Sequence, residues 1–586
     1  MKISDPFLNG KCPKFLLTLG FILILYNLLI LYSHQPQGYA VDIYSVLPLS
    51  FYSAAILCYL ISSIALLSGR ERAKKLGVLL LILNHAVILL IPYMLGYYSM
   101  GRADDMSYIG EYLHISKTGF TNDEWNIYPG SLILGAALSM MSGLPVSGAA
   151  FVMPVIFSFI LVGGLYLCCR FFLKGKNLMN IAILSSFILY LGPYNFLNVP
   201  HALFFAYMPL YIFILSRYIN KAGFSNAILL ILPTILVPFM HPFIVLFVFA
   251  LLLSLILSGG LLNRFIHERY WRAAHPLTIS IMGFLAWFVY CDALMGSLRI
   301  NFQSYLLKIT EPSLLMTTEK IARINIDLPS MMKLLFVYYG RYLIPFIIIG
   351  IALILIRLKQ DKITQAVKNR MYFFSAFYIA LLIIEAIIFL NPMFSHQPDR
   401  LTNLNFMLYA QVPLFVLSLS VVFAAPKFFN RQTALVLIIL TGMWSLGLFG
   451  TFDSPNIFVT NAALTHNEVE GIEWYYEART GENTIVPVSQ IQRFHDLFDD
   501  GGIDNEIQIP DHFGYNSSHR TFADINLEPD QQGYVILLNL DELLYQEVPG
   551  YREVGRYTAG DYAWFRSDRS IRTKVYDNRD IEIYST

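Results

Sequence analysis

Residues 76–115 read LGVLLLILNHAVILLIPYMLGYYSMGRADDMSYIGEYLHI, and this stretch decides how the chain is built. Its first 23 residues are apolar and long enough for a membrane helix, which needs about 20 residues to cross the bilayer core. Two adjacent carboxylates, Asp104 and Asp105, follow within a few residues. Charged side chains at the mouth of a membrane helix are costly to place, so the pair requires an explanation.

The composition is that of a polytopic membrane protein. Of 586 residues, 56% are hydrophobic and 14% are charged, which is far from the average of soluble proteins. We expect the first apolar run to be a retained helix, because it is longer than a signal core and no small-residue cleavage site follows it. The thirteen predicted spans are residues 15–32, 48–67, 76–97, 149–169, 178–194, 201–216, 226–240, 243–257, 277–294, 342–356, 371–390, 406–422 and 433–449.

Basic residues determine the predicted orientation. Arg70 and Lys74 follow the second span, and Arg357 and Lys362 follow the tenth; such residues mark cytoplasmic loops. The segment SLILGAALSMM at 131–141 would invert every later basic loop if it crossed the membrane, and it is too short to cross. We therefore predict that this segment is a helix that lies in the outer interface or re-enters from it. The N-terminus is then cytoplasmic and the C-terminus extracytoplasmic.

Beyond the membrane domain of residues 1–450, residues 451–586 form a predicted extracytoplasmic α/β domain. Asn467 and Glu470 have the spacing of a capping box before a helix, and TIVPV, GYVILLNL, DYAWF and IEIY have strand patterns. This domain has 24 acidic and 10 basic residues and a charge of about −14, against about +15 for the membrane part. All five cysteines precede it, so it is predicted to fold without disulfides.

The first large outer loop, residues 98–148, carries the acidic pair. If a helix begins at Asp104, its N-terminal N–H groups stabilise the carboxylates, and Ile109 and Leu113 then predict an amphipathic helix parallel to the membrane. Asp104 could equally be an N-cap, since Asp is common at that position. The local pattern leaves both interpretations open.

Three segments together resemble a known family. DDMSYIGEYLHISKTG at 104–119 is followed by IYPGSLILGAALSMMSGLP at 127–145 and by a span that ends in CCRFFLKGK at 168–176. This order is similar to the GT-C glycosyltransferases that use polyprenyl-phosphate sugars, above all the protein mannosyltransferase and aminoarabinose transferase group and its archaeal relatives. The resemblance implies a GT-C-like α-helical polytopic membrane protein with a C-terminal extracytoplasmic α/β domain.

On that resemblance, Asp104 matches the catalytic carboxylate of the family and Asp105 the adjacent acidic position. A hydroxyl that attacks an anomeric carbon must lose its proton, and a carboxylate in hydrogen-bond reach can accept the proton or orient the hydroxyl. The sugar leaves from a phosphate, which needs cationic or hydrogen-bonding stabilisation. The implied reaction is an inverting transfer to an acceptor on the outer face.

Basic and polar residues near the outer span ends are candidates for binding the donor phosphate. Arg400 and Arg341 are the preferred ones, although each could instead anchor its helix to lipid headgroups. His241, Tyr128 and Lys308 are further candidates. The alternatives to a binding role are that His241 only ends a helix and that Lys308 belongs to a solvated loop.

The sequence departs from the family pattern in the next outer loop. GPYNFLNVP at 192–200 has no acidic residue where family members often carry one, and Asp292 or Glu311 could substitute. A divalent cation such as Mg²⁺ or Mn²⁺ fits only if Asp104, Asp105 and another carboxylate converge. Metal dependence is therefore left open.

The expected partners are a polyprenyl-phosphate sugar lipid, an acceptor protein, glycan or lipid, and the membrane itself, with no nucleic acid. One alternative is a transporter or flippase of a lipid-linked substrate, which needs polar residues within the spans; Asn84, His85 and Glu385 are the main examples. Another alternative is a polymerase or ligase of surface polysaccharide. The chain has no P-loop or HExxH motif, which removes support for ATP-driven transport and metalloprotease chemistry.

Overall fold

Helices make up most of the described chain. The computed structural model describes residues 12–34, 38–68, 70–102, 104–122, 127–173, 175–192, 196–261, 270–306, 327–358, 363–390, 405–423, 429–457, 459–478, 484–487, 494–498, 533–548, 559–567 and 573–585. Apolar runs fold as helices in a bilayer because every backbone N–H and C=O must find its partner within the segment.

The elements are numbered in chain order. Up to residue 192 they are α1 (Cys12–Ser33), α2 (Ile43–Val46), α3 (Leu49–Leu67), α4 (Glu71–Leu89), α5 (Ile91–Met94), β1 (Tyr97–Ser99), α6 (Asp104–Thr118), α7 (Pro129–Ser142), α8 (Val146–Phe172) and α9 (Lys176–Tyr190). Up to residue 450 they continue with α10 (Pro200–Asn220), α11 (Phe224–Met240), α12 (Pro242–Leu261), α13 (Ala274–Tyr290), α14 (Asp292–Leu306), α15 (Leu328–Leu358), α16 (Gln365–Leu390), α17 (Asn405–Val422) and α18 (Phe429–Phe449). The remainder are β2 (Leu464–Thr465), α19 (His466–Ala478), β3 (Thr484–Pro487), α20 (Phe494–Phe498), β4 (Gly533–Leu538), α21 (Asn539–Glu547), α22 (Ala559–Ser567), β5 (Thr573–Asp577) and β6 (Ile581–Ser585).

Many of these helices are suited to a membrane. Among the described residues, seven segments are long and apolar enough to cross one: Lys14–Ser33, Leu49–Leu67, Val146–Phe172, Pro200–Asn220, Leu328–Leu358, Gln365–Ile384 and Gln432–Phe449. Shorter apolar helices cover Pro129–Ser142, Leu178–Tyr190, Phe224–Met240, Ile244–Leu257, Ala274–Tyr290 and Gln411–Val422. The multi-pass helical architecture is confirmed, while the count of thirteen spans and their orientation stay predictions.

The third predicted span, residues 76–97, is divided between two helices. α4 begins before it, at Glu71, and ends at Leu89, and the short α5 follows. Pro92 lies at the start of α5, where its missing N–H is not needed, whereas inside one continuous helix it would remove a hydrogen bond. The chain therefore turns before β1 and the acidic pair.

The segments that follow the first, third, fifth and thirteenth predicted spans meet on one side of the bundle. β1, after the third span, pairs antiparallel with β2, after the thirteenth. The Tyr39 N–H, after the first span, donates to Asp580 Oδ1 at 2.9 Å, and the Phe196 ring, after the fifth, lies 5.0 Å from the Phe452 ring. The ten crossings predicted between β1 and β2 agree with this arrangement, whereas a further crossing through α7 would place the two strands on opposite sides. This shared side is named the predicted outer face.

The C-terminal segment contains a four-stranded sheet of order β3-β4-β6-β5, with β3 and β4 parallel and the other pairs antiparallel. The predicted strand DYAWF was wrong, because these residues lie in α22, whose Tyr562 and Phe565 are three residues apart and both buried. The predicted helix after residue 466 is confirmed as α19.

The capping box of α19 lies two residues earlier in the chain than predicted. The Thr465 N–H donates to Glu468 Oε2 at 2.9 Å, and the Glu468 N–H donates to Thr465 Oγ1 at 3.2 Å. This reciprocal bonding satisfies two N-terminal donors. Asn467 and Glu470 are therefore not the capping pair.

Candidate active site

The acidic pair lies in the first turn of α6. Asp104 is partly exposed, whereas Asp105 is only 3% exposed. α6 rests on α7 at Gly135, where an added Cβ would overlap the Tyr112 ring. The absence of a side chain at Gly135 thus lets the helix with the carboxylates lie directly against α7.

Asp105 is held by backbone groups from two loops. The N–H groups of Gly101 and Asn198 donate to it, yet burial and the neighbouring Asp104 raise its pKa from 3.8 to about 7. Its Oδ1 atom has no hydrogen-bond partner among the described residues. Asp105 is therefore a buried carboxyl group that changes protonation near neutral pH.

Two residues of α6 that contact other segments flank Asp104. Ser107 and Tyr108 are three and four residues after it, so they flank it on the same face of the helix. The Ser107 hydroxyl donates to Asp496 Oδ2 of α20, while the Tyr108 ring lies 6.2 Å from the Tyr128 ring. The C-terminal segment borders this face on one side, and α7 borders it on the other.

A series of rings leads from α6 toward the helical bundle. The Tyr128 ring lies 4.9 Å from the His241 ring, which lies 5.0 Å from the His201 ring. Tyr128 precedes α7, and His241 lies between α11 and α12. The structure thus brings Tyr128 and His241, both predicted site residues, next to Tyr108 on the helix of Asp104.

Arg341 is buried within α15, with 1% of its surface exposed. Its guanidinium group lies against Gly192, where an added Cβ would overlap it, and 4.7 Å from the centre of the Tyr342 ring. α18 ends beside Val337, so Arg341 lies about 6 Å, one helical turn, inward from that end. Within the described part of the chain, no carboxylate forms an ion pair with Arg341.

One loop connects the acidic pair with Arg341. Gly192 at its start packs on Arg341, and Asn198 near its end donates to Asp105 and accepts a 2.9 Å hydrogen bond from the Tyr112 hydroxyl. Six residues of chain span at most about 20 Å. The carboxylates and the buried guanidinium are therefore close to opposite ends of one short loop.

The remaining candidates from the sequence lie outside the described residues or away from Asp104. Arg400, Lys308 and Glu311 lie outside the described residues, and Asp292 begins α14 with an exposed side chain. In the part of the chain that the structure describes, no three His, Cys, Asp or Glu side chains lie together as metal ligands would.

Two contacts were missed by sequence reasoning. Asp496 reaches Ser107 from 389 residues away in the chain, and Glu468 reaches Arg102 from 366 residues away. Neither pair has a local motif. Only the spacing T-x-x-E at Thr465, typical of a helix start, could have directed attention to Glu468.

A cavity of about 150 Å³ lies elsewhere, at the opposite end of the bundle. Its lining is mostly apolar and includes Cys168 and Phe172 at the end of α8, Ile219 at the end of α10 and Phe373 near the start of α16. It shares no lining residue with the carboxylate site. It therefore adds nothing to the chemistry at Asp104.

No protein-family model matches the chain. None of the curated proteins matches it either. Among solved structures, it is similar to the archaeal oligosaccharyltransferase AglB from Archaeoglobus fulgidus in complex with an inhibitory peptide and a dolichol-phosphate, with 13% identity and a TM-score of 0.39 over 75% of this chain and 65% of that one. It is also similar to the A. fulgidus oligosaccharyltransferase in complex with Zn and sulfate, with 11% identity and a TM-score of 0.36 over 73% and 62%.

The chain thus spans about 65% of the length of the first of these proteins. Because both TM-scores are low, neither structure assigns an activity or a substrate to this chain.

Proposed function

We propose that this chain is an integral membrane glycosyltransferase that moves a sugar from a polyprenyl-phosphate carrier to an acceptor at the outer face, with inversion at the anomeric carbon. Two contacts carry the proposal: Gly192 packs on buried Arg341, and the Asn198 N–H, six residues further along the chain, donates to Asp105. A carboxylate for the acceptor and a cation for the leaving phosphate are the two groups that this transfer needs.

Asp104 is assigned to the acceptor. It is more exposed than Asp105 and lies on the face of α6 that Ser107 and Tyr108 flank. A hydroxyl held there can give its proton to Asp104 as it bonds to the sugar. Asp105 has the supporting role, because it is buried behind Asp104 and hydrogen-bonded to the loop that leads to Arg341.

Arg341 is assigned to the phosphate of the donor. A buried guanidinium is stabilised by an anion, and its planar fork matches two phosphate oxygens. Its position about one turn inward from the end of α18 puts it near the predicted outer face. Arg400 is proposed as a second phosphate-binding residue, and His241, Tyr128 and Lys308 as further contacts with the donor.

A series of aromatic rings lies next to Asp104, on α6 and in the segment before α7. Tyr108 and Tyr128 lie edge to face, and the Tyr128 ring is tilted by 32° toward His241. Such rings pack against the apolar face of a sugar or a prenyl unit while their hydroxyls bind water or substrate. We assign this ring series to the donor side and Asp496 to the acceptor side of Asp104.

The proposal is tested with purified protein in liposomes. Polyprenyl-monophosphate sugars and polyprenyl-pyrophosphate sugars are supplied in parallel with a set of peptide, glycan and lipid acceptors. Transfer from the monophosphate donor by the wild type, and its loss in Asp104→Asn, is expected. Asp577→Asn, which changes a carboxylate of β5 that pairs with Lys574 at 2.8 Å, is the matched control and keeps the activity.

Other outcomes have defined meanings. Transfer only from the pyrophosphate donor favours a polysaccharide polymerase or ligase. Equal transfer by wild type and Asp104→Asn removes the role of Asp104. No transfer with any donor rejects the assignment as a transferase.

Transport of a lipid-linked substrate is the second candidate, because two polar side chains are buried within the helical bundle. Asn27 and His85 make no side-chain hydrogen bond with the described residues, and the His85 ring lies among Phe187, Tyr190 and Phe159. Polar residues at such positions often mark a substrate pathway. Flipping of a fluorescent polyprenyl lipid in liposomes, abolished in His85→Phe, would favour this candidate over transfer.

A further inference from the structure

We propose that Arg102 is a positioning residue: through its ion pair with Glu468, the C-terminal segment fixes the start of α6 and therefore the place of Asp104 and Asp105. This inference rests on the proposed function, since it concerns the same two carboxylates. It assigns the C-terminal segment a part in catalysis that does not require contact with either substrate.

The ion pair combines one hydrogen bond with one close charge contact. Arg102 Nη1 lies 2.7 Å from Glu468 Oε1, and Arg102 Nη2 donates to Glu468 Oε2 at 2.9 Å. Nη2 also donates to the Ala463 carbonyl at 3.1 Å. The two hydrogen bonds from Nη2, together with the charge contact of Nη1, fix direction as well as distance, so the guanidinium has one orientation relative to the C-terminal segment.

The pair is buried, with side-chain exposures of 13% for Arg102 and 0% for Glu468. Burial disfavours the charged guanidinium, but Glu468, Tyr39 and Asp541 more than offset it, so the pKa of Arg102 lies above its ordinary value. A buried ion pair is a weak source of stability compared with apolar side chains of equal volume. Its better-supported use is to select one arrangement of the chain.

Glu468 has two functions at this junction. It completes the capping box of α19 with Thr465 and binds Arg102 with the same carboxylate. β1 pairs with β2 immediately before these residues, with Tyr97 opposite Thr465. The first residues of α19 and the chain just before α6 are thereby joined by main-chain pairing and by the ion pair.

A third segment, which contains Tyr39, also contacts this junction. Asp580 accepts hydrogen bonds from the Tyr39 N–H and the Thr465 hydroxyl, both at 2.9 Å, and the Arg102 guanidinium lies 4.9 Å from the centre of the Tyr39 ring. A single residue, Ala103, separates Arg102 from Asp104 in the sequence. Because the two positions are so close in the chain, a displacement of Arg102 also displaces the acidic pair.

The first measurement compares kinetics in Arg102→Gln, Arg102→Lys and Glu468→Gln. For a positioning role, kcat falls at least tenfold in the two Gln variants while the donor KM stays within twofold, because the donor phosphate binds elsewhere; Arg102→Lys, which keeps the charge without the fork, retains an intermediate rate. Arg566→Gln is the matched control, since it breaks an ion pair with Glu542 at 2.6 Å in the C-terminal segment and leaves kcat unchanged.

A double variant separates the positioning role of the ion pair from a role in the stability of the fold. Arg102→Met with Glu468→Leu replaces the pair by apolar side chains and removes the unpaired charge. We expect a thermal unfolding temperature near that of the wild type together with the low kcat of the single variants. Recovery of full kcat along with stability would overturn the inference, because the pair would then be only structural.

A readout without catalysis keeps this inference distinct from the proposed function. Hydrogen–deuterium exchange of residues 104–118 is expected to be at least tenfold faster in Arg102→Gln, with exchange in α8 and α10 unchanged. Unchanged exchange in residues 104–118 refutes the positioning of α6. If the wild type transfers no sugar but the exchange result holds, the proposed function fails and the anchoring of α6 stands.

Discussion

Replacing Asp105 by Asn should make the stability of the protein less dependent on pH. The pKa of Asp105 rises from 3.8 to about 7, mainly through burial and secondarily through Asp104. Because the folded pKa lies above the unfolded one, the native state holds the extra proton between about pH 4 and pH 7, and its stability falls as pH rises through that window. This rise in pKa lowers the free energy of unfolding above pH 7 by a penalty on the order of 4 kcal/mol.

Asn has the shape of the protonated carboxyl group and does not titrate, so Asp105→Asn removes the penalty. Thermal unfolding of wild type and variant is measured in detergent from pH 4 to pH 8. The variant should match the wild type near pH 4 and unfold at a progressively higher temperature as pH rises. A temperature difference that is constant with pH would refute the burial argument.

Asp577→Asn provides a control of opposite sign. Its partner Lys574 lowers the pKa of Asp577, so the carboxylate stabilises the fold above the ordinary pKa of Asp and this contribution disappears as pH falls. The Asn variant should therefore be slightly less stable than the wild type near neutral pH and equal to it in acid.

Three further substitutions test the packing of the site. Gly192→Ala introduces a Cβ that overlaps the Arg341 guanidinium and displaces this end of a flexible side chain. The donor KM should rise about tenfold, the effect of losing one hydrogen bond to a charged group of about 1.5 kcal/mol; an unchanged KM would contradict the phosphate role of Arg341. Gly110→Ala introduces a Cβ that overlaps the Asp496 backbone and should lower the unfolding free energy by about 1–3 kcal/mol, measured by chemical denaturation. Tyr128→Phe should keep at least half of the transfer rate because the ring contact remains, whereas Tyr128→Ala should lose most of it; equal rates would exclude the ring series from the site.

Local patterns were sufficient to predict the helical part of the fold. Apolar runs longer than about 15 residues became helices, and the acidic pair at residues 104 and 105 begins one. The strand β5 was missed because its residues are largely exposed and show no alternation of buried and exposed positions. DYAWF has a strand-like composition, but Tyr562 and Phe565 are buried together as one face of a helix.

The site itself was only half predictable. Asp104, Asp105 and Tyr128 are close in sequence to the motifs that pointed to them, so their neighbourhood on α6 and α7 followed from local spacing. The contacts of Asp496 with Ser107, and of Glu468 with Arg102, join residues more than 360 positions apart. Such contacts arise from the packing of the C-terminal segment on the outer loops, which no local pattern encodes.

The central claim is that Asp104 acts directly on the acceptor. It is tested most directly by single-turnover transfer from a polyprenyl-phosphate sugar by wild type and Asp104→Asn, with donor binding measured separately on the same samples. We predict equal donor binding and a transfer rate at least about 100-fold lower in the variant, the range expected for loss of a general base. Equal transfer rates in the two proteins would contradict the claim.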